Sequence, residues 1–407
     1  MLRLLLILLS FLVPPVAVQA TARSPLILVS IDGFRAEYAR RGESPVLAAL
    51  AREGATAPGG MRPSFPSLTY PNHYTLVTGL RPDHHGLVDN TMLDPGIPGV
   101  AFSLGDRSTV EDERWWGPAE PLWATVEKAG LIAAPLDWPG SEAPRGGRFA
   151  TYWRRFDANR QAGQRVDDIL ALMDLPEAKR PAFATLYFDE VDDSGHHFGP
   201  SSPQLTAALK EVDAALGRLV DGLRARGLYD KVNLVIVSDH GMAEVDYKRR
   251  IAAEDWVPPE VAKLVSSAAV VGFVPQPGRE AEARRRLLGR HPTGRCWEKA
   301  RLPARFHYGT NPRVPPIVCL SDLGGYVVRR AAEAARTSEP DHGSHGYDPE
   351  ELAMRALFVA RGPNIRRGVR IGTFDNVDVH PFLTRLIGVA PSRSDGDPRR
   401  LAGLIRP

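Results

Sequence analysis

The sequence is poor in cysteine, with two among its 407 residues, Cys296 and Cys319. Neither belongs to a C-x-x-C pair, which argues against a zinc site built from cysteines. Past residue 20 no apolar run is long enough to span a bilayer. No internal repeat is visible, so a solenoid or propeller is not indicated. Charge of one sign is also lacking: 51 Lys and Arg face 48 Asp and Glu, a net charge of +3, and nothing resembles a nucleic-acid-binding module. Arginines are dense around 145–165 (Arg145, Arg148, Arg154, Arg155, Arg160, Arg165) and around 284–290. Each group reads as a solvated basic face, with steering of anionic substrates as the second reading.

What is present is ordinary globular composition, 43% hydrophobic and 24% charged, in a chain long enough for one large domain with insertions or for two domains. Residues 1–20 stand apart. Arg3 precedes an apolar run from Leu4 to Val13, Pro14-Pro15 interrupts it, and Val18-Gln19-Ala20 supplies small residues at a cleavage site. This predicts a signal peptide cut after Ala20 and a mature chain with no stable membrane anchor, exported to a periplasm or secreted. An oxidising compartment makes a Cys296–Cys319 disulfide the expectation, with two separate thiols as the alternative.

Short runs rich in β-branched residues read as strands: 26–31 (LILVSI), 182–188 (AFATLYF), 232–237 (VNLVIV), 269–274 (AVVGFV) and 356–360 (ALFVA). Near-continuous apolar runs of this kind suit a parallel sheet covered on both faces. Helical patterns alternate with them, over 45–53, 71–79, 278–289 and 376–387. The clearest carries Leu205, Leu209, Val212, Leu216, Leu219 and Leu223 on one stripe. The fold class predicted is α/β, a mostly parallel central sheet with helices on both faces. The Pro- and Arg-rich stretch 248–320 reads as an inserted cap on a single domain, 21–407.

In such sheets the site lies beyond the carboxyl ends of the strands. Asp32 follows the first run; Asp189, Glu190, Asp192, Asp193 and His196 follow the second; Asp239 and His240 follow the third. Zinc takes His and Asp side chains, about four ligands per site. Two such ions about 3.5–4 Å apart can clamp a transferring phosphoryl group. Asp32, Asp239, His240, Asp192, His196 and His345 would supply three side chains to each of two ions. Thr69, ahead of Tyr70-Pro71-Asn72-His73, reads either as a helix N-cap or as a nucleophile whose oxygen joins one metal; both roles can fall on one residue.

Six motifs then occur in order: SIDGFR (30–35), FPSLTYPNHYTLVTG (65–79), DHHG followed by DN (83–90), DDSGHHFGP (192–200), SDHGM (238–242) and GSHGYD (343–348). Together they resemble the nucleotide pyrophosphatase/phosphodiesterase family of the alkaline phosphatase superfamily over about residues 25–390, and the leader suggests a bacterial exported member. The resemblance implies two Zn²⁺ per chain and a nucleotide or nucleotide-like phosphodiester substrate, cleaved to nucleoside 5′-monophosphate. It implies Thr69 as nucleophile. Asp32, Thr69, Asp239 and His240 would hold one zinc, and Asp192, His196 and His345 the other. Asn90 would bind a phosphoryl oxygen beside the Thr69 N–H. Tyr70 would lie against the nucleobase, with Tyr152 opposite and Tyr187 lining the same pocket. A monomer is expected.

Within the acidic cluster, Asp189, Glu190, Asp193 and His197 are read as neighbours of the ligands. His342 is read as distinct from the ligand His345. His73 is read as packed or as supporting a ligand from behind, and His84 and His85 as shaping the turn before Asn90. Among alternatives, a choline-headgroup phosphodiesterase of the same family shares the metal site and differs in its pocket. A phosphomonoesterase would show a serine nucleophile and an arginine clamp. A sulfatase would need C/S-x-P-x-R, and its cysteine form is absent. A non-catalytic zinc-binding protein would be expected to have lost one of the site residues.

Overall fold

The computed structural model describes residues 23–337 and 339–406. The predicted leader, 1–20, lies outside the described residues. No helix among those described is long and apolar enough to cross a membrane.

The chain is an α/β fold built on a seven-stranded sheet. Its strands are β1 (Leu26–Ile31), β2 (Ala55–Thr56), β3 (Ala133–Pro135), β4 (Phe183–Phe188), β5 (Asn233–Val237), with β11 (Phe358–Arg361) and β12 (Val369–Arg370) added late in the sequence. The spatial order is β12-β2-β11-β5-β1-β4-β3. The pairs β3–β4, β4–β1 and β1–β5 are parallel, and register places Ile31 beside Phe188 and Ser30 beside Val237. The carboxyl ends of β1, β4 and β5 therefore reach one edge together.

Alternation along β1 divides the core. Leu26 and Leu28 pack on one face with α2 (Thr69–Thr78) and α6 (Val379–Ile387). Ile27, Val29 and Ile31 pack on the other with α1 (Pro45–Glu53), α3 (Ala162–Met173) and α5 (Pro203–Ala225). The six apolar residues of the α5 stripe are all buried. At about 1.5–3 kcal/mol for each such side chain, they bind the helix to the sheet more strongly than its propensity would. Ser202 caps α5 by accepting from Leu205 N–H at 3.0 Å. Asp213 on α5 accepts from Val46 and Leu47 N–H, both at 2.9 Å, and so fixes the start of α1.

Two of the five runs read as parallel strands are corrected. The 356–360 run starts two residues late, as β11, and pairs antiparallel with β5. The 269–274 run belongs to a second, antiparallel sheet: β6 (Ala262–Ser266), β7 (Val270–Pro275), β8 (Gly289–His291), β9 (Gly294–Glu298) and β10 (Ile317–Ser321), ordered β6-β7-β10-β9-β8. An apolar run reports burial on both faces, and that does not fix strand direction or sheet membership. This sheet has its own apolar cluster, including Trp256, Leu264, Phe273 and Ile317. A Cys296–Cys319 disulfide joins β9 to β10. Asp83 ties the sheet's 309–311 loop to the segment before Asn90, accepting from Gly309 N–H at 2.9 Å and Asn311 N–H at 3.0 Å.

Candidate active site

Asp32 follows β1 directly, and its N–H continues the ladder to Phe188 O at 2.9 Å. Asp239 and His240 follow β5. Asp192 and His196 stand at i and i+4 on α4 (Glu190–Phe198), one face of the first helix after β4. His345 arrives from the far end of the chain and stacks on His240, ring centres 3.6 Å apart. Gly33 has φ +65°, and a Cβ there would stand 2.7 Å from Asp192 Oδ1. Its bare backbone is what lets α4 approach the end of β1.

The six side chains form two groups of three, Asp32/Asp239/His240 and Asp192/His196/His345, with one potential ligand atom from each within 4.8 Å of the others in its group. Within the first, His240 Nε2 is 2.9 Å from Asp239 Oδ2 and 3.6 Å from Asp32 Oδ1. Within the second, Asp192 lies 3.4 Å from His196 Nε2 and 3.8 Å from His345 Nε2.

The imidazoles are anchored alike. His240 Nδ1 lies 2.9 Å from Gly241 O, His196 Nδ1 3.0 Å from Gly343 O and His345 Nδ1 2.9 Å from Ser67 O. A carbonyl only accepts, so each Nδ1 carries the hydrogen and each Nε2 presents a lone pair to the carboxylates. Lone pairs facing carboxylate oxygens repel unless a cation or a second proton sits among them. Asp32 Oδ1, Asp192 Oδ1 and Asp239 Oδ2 are buried without a hydrogen-bond partner. Burial, then the charges of Asp239 and Asp192, push the Asp32 carboxyl well above the usual range. Burial, then His240 and His196, hold His345 well below its ordinary value, neutral as a ligand must be. Orphaned oxygens, Nε2 lone pairs and an N/O donor set fit two divalent cations.

Thr69 Oγ1 lies 3.3 Å from His240 Nε2. Its expected N-cap role is corrected: Leu68 holds the cap position, and Thr69 is the first residue of α2. No side chain caps this helix, and the Thr69 hydroxyl faces His240 of the first group. The Thr69 N–H has no carbonyl behind it within the helix. Tyr70 N–H donates to Asn90 Oδ1 at 3.0 Å, turning the Asn90 amide so that its NH₂ is the end left for a ligand.

These residues border a cleft of about 460 Å³ whose walls include Tyr70, Asn90, Leu104, Glu142, Phe156 and Tyr187. Tyr187 OH donates to Asp32 Oδ2 at 2.6 Å, so it orients a candidate metal ligand as well as lining the cleft. Tyr152 is corrected. It is not among the cleft-lining residues, and its OH donates to Lys179 O at 3.2 Å. The aromatic residue in the cleft from this stretch is Phe156, four residues on, with its ring edge-on to Tyr187 at 5.5 Å. The two residues follow one irregular loop, and sequence gives no periodicity to choose between them.

Most of the neighbouring titratable groups have other partners. Asp189 pairs with Arg165 at 2.9 Å, Asp193 with His197 at 3.3 Å and His84 with Asp395 at 2.7 Å. His85 is buried between Thr75 Oγ1 and Pro71 O, each 3.1 Å away. His73 is the exception: it is buried, 2.8 Å from Ser30 Oγ and 2.9 Å from Thr69 O, and its Nδ1 also lies 3.3 Å from Asp239 Oδ2, so it backs a candidate ligand. The solvated reading of the 145–165 arginines is corrected at two positions: Arg165 is 1% exposed, and Arg154 forks onto the buried Asp137.

A mostly parallel sheet with His and Asp gathered beyond its carboxyl edge fits a hydrolase of alkaline-phosphatase-like fold with candidate metal-binding groups. The sequence profile described as type I phosphodiesterase / nucleotide pyrophosphatase matches residues 26–348, and the chain belongs to that family. It is 33% identical over 384 residues to an uncharacterized pyrophosphatase/phosphodiesterase of Schizosaccharomyces pombe, covering 92% of this chain and 79% of the relative. Human ectonucleotide pyrophosphatase/phosphodiesterase family member 1 is 33% identical over 394 residues. That match covers 94% of this chain and 42% of the human protein, so the chain spans under half of that relative's length. Murine ectonucleotide pyrophosphatase/phosphodiesterase 5, solved as an inactive threonine-to-alanine variant in complex with AMP, superposes with a TM-score of 0.88 at 31% identity. It covers 94% of this chain and 100% of the murine one.

Proposed function

We propose that the chain hydrolyses nucleotide phosphodiester and pyrophosphate bonds, releasing nucleoside 5′-monophosphates through a covalent phosphothreonine at Thr69. The observation that carries this reading is the placement of Thr69 Oγ1, 3.3 Å from His240 Nε2 at the edge of one of two adjoining His/Asp groups. Asp32, Asp239 and His240, with Thr69, would hold one zinc, and Asp192, His196 and His345 the other. Bound there, the ions would lower the cost of the Thr69 alkoxide and stabilise charge on the phosphoryl and leaving oxygens.

Thr69 Oγ attacks phosphorus in line, the Oγ–P bond forms, and the P–O bond to the leaving group breaks. Water then attacks phosphorus on the side the leaving group vacated and releases Thr69. The Asn90 NH₂ and the Thr69 N–H donate to a phosphoryl oxygen as its charge grows. Tyr70 and Phe156 line the cleft where a base would lie. The AMP complex of the murine relative, and its inactivity with alanine in place of a threonine, support both parts of this reading.

A second reading is favoured by one observation. Glu142, Asp193 and Asp341 line the cleft with Tyr70, Phe156 and Tyr187, and among the described residues no Lys or Arg does. Carboxylates and aromatic faces also suit a quaternary ammonium such as choline. The deciding assay compares kcat/KM for a nucleoside 5′-monophosphate p-nitrophenyl ester, p-nitrophenyl phosphocholine and p-nitrophenyl phosphate on zinc-loaded protein. Preference for the first supports the nucleotide reading. Preference for the second replaces it while keeping Thr69 and the ligands. Preference for the third rejects both.

We propose further that the enzyme is a monomer of one catalytic domain, 21–407, with 248–320 as a cap. The leader-like residues 1–20 would direct its export from a bacterial cell. The relatives named above come from yeast, human and mouse.

A further inference from the structure

Arg165 is a buried cation in a stretch that otherwise carries exposed or half-exposed arginines. Burying a guanidinium is costly unless each of its donors is met. Here Nε faces Arg160 O at 3.3 Å, Nη2 faces Asp157 O at 3.2 Å and Asp189 Oδ1 at 2.9 Å, and Nη1 faces Tyr187 O at 3.3 Å. Its carbon centre stands 4.8 Å from the middle of the Phe156 ring, within cation–π range. Tyr187 meets the same ring edge-on. Arg165 thus joins three things: the loop carrying Phe156, the end of the strand whose Tyr187 holds Asp32, and Asp189, which precedes the helix of Asp192 and His196.

We propose that Arg165 is a positioning residue that fixes the Phe156 wall of the cleft at a set distance from the metal-binding groups. It would thereby govern how the organic part of the substrate is held while phosphorus sits at Thr69. The planar fork is essential to this role, because a lysine delivers one compact charge and cannot meet several fixed acceptors together. The proposal rests on the reading of the cleft as a phosphodiester site.

The test is a double-mutant cycle on zinc-loaded protein, with kcat and KM measured for wild type, Arg165→Met, Phe156→Ala and the double variant. The substrates are the nucleoside 5′-monophosphate p-nitrophenyl ester and bis(p-nitrophenyl) phosphate. Arg165→Met should raise KM for the nucleotide ester about five- to tenfold, the size of one aromatic contact, with a smaller change in kcat. The loss on bis(p-nitrophenyl) phosphate should be smaller. The double variant should be no worse than Phe156→Ala alone, and Arg165→Lys should not restore KM. Independent, additive losses, equal losses on both substrates, or full rescue by lysine would each overturn the proposal. If Arg165→Met does not fold, Arg165→Lys enters the same cycle. If wild type prefers p-nitrophenyl phosphocholine, the nucleotide reading fails, and the cycle run on that ester still decides whether Arg165 acts through Phe156.

Discussion

Thr69 opens its helix without capping it, and its hydroxyl is directed at His240 instead. Thr69→Ala should abolish turnover while zinc content, measured by atomic absorption, stays near wild type. Substantial residual turnover would remove Thr69 from the nucleophile role. Asn90 is turned by the Tyr70 N–H, so Asn90→Ala should lower kcat by about 10² to 10³, as loss of an oxyanion donor does, with a smaller effect on KM. An unchanged kcat would reduce Asn90 to a loop residue. The metal-facing side chains were legible as a group because each comes just past a strand end, at an i, i+4 step or within a short motif. Arg165 was not legible. Its role depends on a loop folding back over it, and six arginines in twenty-one residues look alike in a sequence.

At the scale of elements, hydrophobic pattern was enough to locate β1, β4, β5 and the α5 stripe, because burial on one or both faces leaves a periodic trace. It did not give direction or membership for 356–360 and 269–274, since antiparallel and parallel neighbours bury the same residues. The carboxyl edge joins β1, β5 and α4 through like charges, so metal should contribute to holding them together. Each zinc at about a hundredfold over its Kd should add about 2.7 kcal/mol to the unfolding free energy. Thermal unfolding with and without a chelator, then with zinc restored, measures this; no shift in Tm would sink the two-ion reading. Away from the site, Asp213→Ala should cost about 1–3 kcal/mol, because Val46 and Leu47 N–H lose their acceptor; urea unfolding reads it directly.

Across the whole molecule, stability should depend on buried imidazoles that belong to neither His/Asp group. Burial lowers the His85 pKa to about 3 and the His380 pKa to about 4. A histidine whose folded pKa is depressed takes up its proton on unfolding. Its stability contribution is complete above the unfolded value near 6.5 and is lost as pH falls below it. For His85 the loss between pH 7.5 and pH 5 should be about 2 kcal/mol. Urea unfolding of wild type and His85→Gln at both pH values, each without metal, isolates the term: the glutamine variant should show a shallower fall. Parallel falls would assign the acid sensitivity elsewhere.

The three imidazole anchors have a consequence for heredity. Ser67, Gly241 and Gly343 hold the ligands through main-chain oxygens, which every amino acid supplies. The code can therefore rewrite such a position without touching the anchor, as long as the new side chain fits. Gly241 and Gly343 have no such room: an added Cβ would stand 2.1 Å from Ala353 O and 2.2 Å from Gly195 O, respectively. Position 67 is under a different constraint, its hydroxyl meeting Tyr347 O at 3.0 Å. Mutational tolerance at the two glycines should thus be governed by volume, and an alanine at position 67 should leave the His345 tautomer as it is.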